Sequence, residues 1–406
     1  MAGRRTTRRI THAALAVVAA AAVAVTGLTG SAYAAGPADG GQSGQSGLAG
    51  QDGAHRATRQ ALEAAVAAGA PGALAVAERG RHTWAGAAGK GDLRTGEKRQ
   101  AQDRFRAGSI TKTFVATVLL QLEAEGKLSL DDSVEKWLPG LVQGNGHSGR
   151  KITLRQLLNH TSGVFSYTED EAFGQKVFGT GFFRHRYDTW KPEQLVRLAM
   201  THKPYSAPGT GWRYSNTNYV LVGLVIEKAT GNPYAKEVER RILRPLRLDA
   251  TVLPGTRAGM PEPAGRAYSK LSPDTTGPTH DVTALNPSIA GAAGEIVTDA
   301  RDLNDFYRAL LSGRLLGPRQ MRAMTTTVPV PDAPGVGYGL GLMSAKLSCG
   351  TEVWGHGGGI HGSSSNAVVT RDARHALAVN LNGDWAGDSQ SVIEAEFCGS
   401  KQPAGK

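Results

Sequence analysis

The 406-residue chain has only two cysteines, and no Cys/His cluster in it has zinc-ligand spacing, so neither a metal nor another cofactor is expected. Aromatic residues make up only 6%, and no basic run is interleaved with them, which argues against a nucleic-acid partner. No internal repeat is visible. Long apolar runs are missing too: Ala13 to Val25 falls short of the ~20 residues a spanning helix needs. That run follows Arg4, Arg5, Arg8 and Arg9 and precedes Ala32-Tyr33-Ala34, the layout of a cleaved secretory signal. Residues 1–34 are therefore expected to be a signal peptide, leaving a secreted, extracellular protein with no membrane span. Acidic residues are the minority, with a formal net charge of +11, four units of which leave with the signal arginines. Such a field suits proximity to anionic wall polymers or plain solubility. Apolar bulk is nearly absent from residues 35–54, a flexible linker rich in Gly, Gln and Ser. Residues 55–399 are expected to form the folded domain and 400–406 a tail. In an exported chain Cys349 and Cys398 suggest a disulfide closing a loop of about 50 residues, worth roughly 4 kcal/mol, with two buried thiols as the alternative.

What is present alternates between two periodicities. A helical pattern at Ala57 to Ala67 leads into two strand-like runs, Gly72 to Glu78 and Arg81 to Ala88. From Ser109 to about Ser312 the pattern is mainly helical, at Phe114 to Glu125, Leu154 to His160, Glu193 to Met200, Tyr219 to Lys228, Ala235 to Leu243 and Ala300 to Leu311. Alternation returns at Tyr338 to Met343, Glu352 to Gly355, Ser364 to Thr370 and His375 to Asn382, before a helix at Ser389 to Phe397. The predicted class is α+β: one antiparallel sheet built from both chain ends, flanking helices, and a mostly helical lobe.

Three short elements carry chemistry. Ser109 and Lys112 are three apart at the start of an apolar helical stripe, so they share a face in the first turn of a buried helix. A buried amine loses basicity and can take a serine proton. The same spacing at Ser133/Lys136 reads as a helix cap, and at Ser148/Lys151 as a surface loop. Tyr214-Ser215-Asn216 is a loop that aims two polar groups into a cleft; beside a lysine cation, the Tyr214 phenol is expected to have a lowered pKa and to act with Lys112 as base. Asn216 would orient Lys112 or a substrate carbonyl. His356-Gly357-Gly358-Gly359 reads as a Gly-rich turn after a strand. There an N–H near Gly359 would pair with that of Ser109 as an oxyanion hole, and His356 would anchor a carboxylate or assist proton transfer. Arg94-Thr95-Gly96 reads as a turn.

In the order Ser109, Tyr214, His356 these elements resemble the serine-type D-Ala-D-Ala carboxypeptidases and class C-like β-lactamases, whose boxes are Ser-x-x-Lys, Tyr-x-Asn and His or Lys-x-Gly. The likeness extends from about Ala57 to Gly399 and includes Asp103 to Ser109, Leu158 to Gly163, Tyr214 to Asn218, and Asp302-Leu303 after Ala293-Gly294. It implies a β-lactamase/DD-peptidase-like fold with Ser109 as nucleophile, Lys112 and Tyr214 as the proton-transfer pair, Asn216 as orienter and His356 as third-box partner. It further implies substrate contacts at Gly358 and Gly359, Phe173 as cleft wall, and Cys349–Cys398 as that subgroup's disulfide. The expected function is a secreted D-alanyl-D-alanine carboxypeptidase, monomeric, acting on peptidoglycan stem peptides and acylated by β-lactams. The alternatives are an esterase, D-amino-acid amidase or β-lactamase on the same scaffold, or a non-catalytic wall-binding or β-lactam-sensing protein. Two departures weaken a carboxylate site. Gly357 stands where the subgroup carries a hydroxyl residue, and Leu340 to Lys346 lacks an arginine, leaving Lys346 or Arg371 as replacements.

Overall fold

The computed structural model describes residues 55–272 and 277–399, so the expected signal peptide, linker and tail lie outside the described residues. Helix α1 (Arg56–Ala67) leads into strands β1 (Gly72–Arg79) and β2 (His82–Gly89). The other sheet strands come late in the chain: β3 (Val328–Pro329), β4 (Val336–Tyr338), β5 (Met343–Lys346), β6 (Glu352–Ile360), β7 (Ser363–Thr370) and β8 (His375–Leu381). They form an eight-stranded antiparallel sheet in the order β2-β1-β8-β7-β6-β5-β4-β3. The two ends of the chain meet where β1 pairs with β8, from Ala73 opposite Leu381 to Arg79 opposite His375.

Alternation along these strands separates two cores, because successive side chains in a strand point to opposite faces. Leu74, Val76, Ala376 and Ala378 face the main core. It is filled by α2 (Thr111–Ala124), α3 (Asn216–Thr230) and α4 (Ala300–Leu311). Ala73, Ala75, Ala77, Leu377 and Val379 face a smaller core under α1 and α5 (Ser389–Cys398). Helix α2 is buried on every side from Thr111 to Leu120, as an apolar stretch without a polar stripe must be. Its Phe114 stacks on Phe306 of α4 at a centroid distance of 3.6 Å. Truncating such a ring to alanine costs about 3–5 kcal/mol.

Two expectations for the sheet need correction. The Gly-rich run is strand rather than turn: Gly357, Gly358 and Gly359 pair in β6 with Asn366, Ser365 and Ser364. The predicted strand from Tyr338 to Met343 is two strands, since Gly341 at φ +73 reverses the chain between β4 and β5. Cys349 and Cys398 are disulfide-bonded, with Cα atoms 5.5 Å apart, joining the β5–β6 turn to the end of α5. Among the described residues no helix is long and apolar enough to cross a membrane, and no cluster of three or more His, Cys, Asp or Glu could hold a metal ion.

Candidate active site

Ser109 owes its position to backbone close packing. The Ala107 amide donates to the Ile296 carbonyl at 2.8 Å, and Gly108 at φ +54 then swings the chain into a short 3-10 turn. Ser109 lies in that turn, just ahead of α2 rather than inside it. Strand β6 presses against the same turn: a Cβ on Gly108 would lie 2.9 Å from the Gly359 nitrogen, and one on Gly358 would lie 1.9 Å from the Ala107 oxygen. Only glycine at both positions allows this approach, which brings the Gly359 backbone to one cleft wall with Ser109.

Lys112 is fully buried, and Nζ lies 3.0 Å from Ser109 Oγ, 2.8 Å from Asn216 Oδ1 and 2.7 Å from the Ala293 oxygen. Burial holds this amine well below its usual pKa. A neutral amine has two N–H donors and one lone pair. The Asn216 and Ala293 oxygens can only accept, so they take the two N–H groups and the lone pair faces Ser109. Asn216 is oriented for this by its own Nδ2, which donates to Thr168 Oγ1 at 3.1 Å. The Tyr214 side chain bonds Ser109, and burial pushes its phenol up. The expected lowering of Tyr214 by a lysine cation is thus reversed: burial of the phenol raises its pKa, and Tyr214 keeps its proton at neutral pH. Ser109, Lys112, Tyr214 and Asn216 therefore form one hydrogen-bonded group.

His356 sits behind that group. It is 4% exposed; Nε2 lies 2.9 Å from Tyr338 Oη and Nδ1 2.5 Å from the Gly357 oxygen. Burial lowers its pKa to about 3. A neutral imidazole with both nitrogens occupied does not anchor a carboxylate, so that expectation is corrected. Phe173 is also displaced from its expected place. It lies buried behind the cleft, edge-on to Tyr167 and Phe178, which form the wall. Lys346 pairs in register with Glu352, and Arg371 follows Thr370, the partner of Val353. Both are therefore roughly 20 Å along the sheet from Gly359, at ~3.3 Å per strand residue, and neither supplies the missing cation.

The cleft, with the open solvent at its mouth, spans about 400 Å³ and is walled by Tyr167, Phe178, Ile289, Ala290 and Ile360, with Ser109, Thr168 and Asn216 as its polar side chains. Among the described residues no Lys, Arg, Asp or Glu lines it. Sequence reasoning missed Thr168, the Ala293 carbonyl, His160 and Tyr338. His160 lay within the run Leu158 to Gly163, whereas the Ala293 contact is a backbone atom and has no side-chain signature. A desolvated lone pair on the serine proton, beside backbone amides of Ser109 and Gly359, suits attack on a carbonyl followed by an acyl-enzyme.

Comparison with known proteins agrees. A profile of the family described as Beta-lactamase matches residues 58–394. A D-stereospecific amidohydrolase from Streptomyces sp. is 66% identical, with a TM-score of 0.82 over 85% of this chain and 99% of that one. D-amino acid amidase from Ochrobactrum anthropi SV3 is 27% identical, with a TM-score of 0.73 over 86% of this chain and 100% of that one. A penicillin-binding protein of Bacillus subtilis is 28% identical over 304 residues, 71% of this chain and 63% of the relative, so less than two thirds of that relative's length is matched. From the match over most of the described residues, and from a serine held by a buried amine against a glycine-bearing strand, it follows that the chain belongs to the beta-lactamase family of serine hydrolases.

Proposed function

We propose that the chain is an amidohydrolase that cleaves small D-amino-acid amides through an acyl-enzyme on Ser109. The observation that carries this reading is the uncharged, largely apolar cleft around the nucleophile. A peptide ending in D-Ala carries an anionic carboxylate on its leaving group that needs a partner in the bound state, whereas the leaving side of a primary amide is uncharged and needs none. The D-Ala-D-Ala carboxypeptidase expected from the motifs finds less support, because Gly357 offers no hydroxyl and His356 no charge. The 66% identity to a D-stereospecific amidohydrolase supports the same choice, including the D preference.

In this mechanism Ser109 Oγ attacks the amide carbon while its proton passes to the Lys112 lone pair. The carbonyl oxygen gains charge against the N–H groups of Ser109 and Gly359. Lys112 returns the proton, through the Tyr214 hydroxyl, to the departing nitrogen; the C–N bond breaks and ammonia leaves. Water then attacks the ester, passes its proton through the same groups, and frees Ser109 and the acid. Tyr167, Phe178 and Ile360 receive an apolar acyl side chain. The test is kcat/KM on D-phenylalanine amide, L-phenylalanine amide and a D-Ala-D-Ala peptide. The D-amide should exceed the other two by about 100-fold or more; a faster peptide rate overturns the proposal. Secretion, expected from residues 1–34, belongs to the same proposal. Its check is N-terminal sequencing of the enzyme from culture medium, with Ala35 as the expected first residue.

A further inference from the structure

We propose that His160 and Tyr338 are positioning residues for the Ser109 site, joined in a one-way hydrogen-bond chain that holds His356 in its Nδ1–H form and ties the Tyr214 loop to β6. The inference needs the Ser109 site but no particular substrate.

Donor counting fixes the direction of the chain from both ends. At one end, the Val164 amide donates to Ser162 Oγ at 3.1 Å, so the Ser162 hydroxyl is free to donate to Asn218 Oδ1 at 2.7 Å. Asn218 therefore turns Nδ2 toward His160 Nδ1, at 3.1 Å. The Ser215 amide donates to the same nitrogen at 3.2 Å. With two donors aimed at it, His160 Nδ1 is a lone pair. Burial keeps the ring neutral, so its proton is on Nε2. That N–H donates to Tyr338 Oη at 3.1 Å.

At the other end, His356 Nδ1 faces the Gly357 carbonyl at 2.5 Å, an oxygen that can only accept. The proton of this neutral ring is on Nδ1, and Nε2 is a lone pair 2.9 Å from Tyr338 Oη. Tyr338 therefore accepts from His160 and donates to His356. The neighbouring Tyr219 hydroxyl spends its proton on the Leu158 carbonyl at 2.8 Å. If Tyr338 gave its proton to Tyr219, His356 Nε2 would be buried against an oxygen lone pair, which costs about 1–3 kcal/mol. One arrangement satisfies every atom.

The chain joins the segments that hold the reacting groups. Ser215, at its start, lies between Tyr214 and Asn216; Gly357, at its end, lies one residue before the glycine packed on the Ser109 turn. The His160 ring packs against that of Tyr214 at 4.2 Å between centroids, tilted by 36°. Its backbone is at φ +61, a conformation that non-glycine residues hold only when their surroundings demand it. Neither His160 nor Tyr338 is among the residues lining the cleft, so they act through Tyr214 and β6.

The experiment combines 15N–1H histidine NMR with kinetics on an acyl ester. Wild-type protein should show His356 as a single Nδ1–H tautomer and His160 as Nε2–H. Tyr338→Phe, which keeps the ring but removes the hydroxyl, should release His356 from that single tautomer. It should also lower kcat by about 10- to 100-fold while KM stays within about twofold, as expected when a reacting group is misplaced rather than removed. Wild-type His356 found as Nε2–H overturns the proposal without any variant. So does a folded Tyr338→Phe protein with wild-type kcat and an unchanged His356 tautomer.

Discussion

The two ends of β6 are chemically unlike. At its start Glu352 pairs in register with Lys346, Arg371 lies 4.7 Å over the Trp354 ring, and the Cys349–Cys398 bridge closes the adjacent turn. At its far end Gly359 borders a cleft that no charged side chain among the described residues lines, and burial holds Lys112 behind it well below its usual pKa. Charge is placed where it is solvated and excluded where the reaction runs. The difference teaches that Ser109 is activated by desolvating an amine rather than by pairing it with a carboxylate. An ion pair would raise the pKa of Lys112 and remove the base.

The comparison breaks most severely at Lys112. Lys112→Met should lower kcat/KM by about 1,000-fold, the usual contribution of a positioned base, with a circular dichroism spectrum like wild type. Activity within tenfold of wild type would mean that another group takes the serine proton. The opposite end of β6 should behave in the opposite sense. Cys398→Ser opens a 49-residue separation and should cost about 4 kcal/mol in denaturant unfolding, while kcat of the folded enzyme stays within about twofold. A large fall in kcat there would mean the ends of β6 are coupled. The smallest effect belongs to Lys346→Ala combined with Arg371→Ala. Roughly 20 Å of strand separates these residues from the cleft, so kcat/KM should stay within about twofold on amides and carboxylate-bearing peptides alike.

Legibility in the sequence followed the range of the interactions. Ser109 with Lys112, the all-round apolar α2 and most of the strands are local patterns and were legible, although Ser109 lies in a turn just ahead of α2 and the Tyr338–Met343 run is split in two. The antiparallel sheet from both chain ends was also legible, because short strand-length apolar runs such as β1 and β8 stand at both ends of the chain. The Gly357–Gly359 strand was not: glycine is a poor strand former, and what requires it is the close approach of Gly108, 250 residues away. The direction of the Tyr214 shift was misjudged for a similar reason. The sequence shows a lysine that could share the site but not the burial of the Tyr214 ring, and that burial is what raises the phenol. His160 and Tyr338 were invisible as a pair because 178 residues separate them and their link is a hydrogen bond between buried rings.

The central claim is that burial holds Lys112 well below the ordinary lysine pKa so that its amine can take the Ser109 proton, and lysine 13Cε NMR titration tests it most directly. Because folding lowers this pKa, acid must charge a buried amine, and kcat/KM should fall as pH drops through the same value. One lysine resonance should titrate well below the usual 10.5, in step with that acid limb, and should be missing from Lys112→Met. A spectrum in which every lysine titrates near 10.5 would contradict the account.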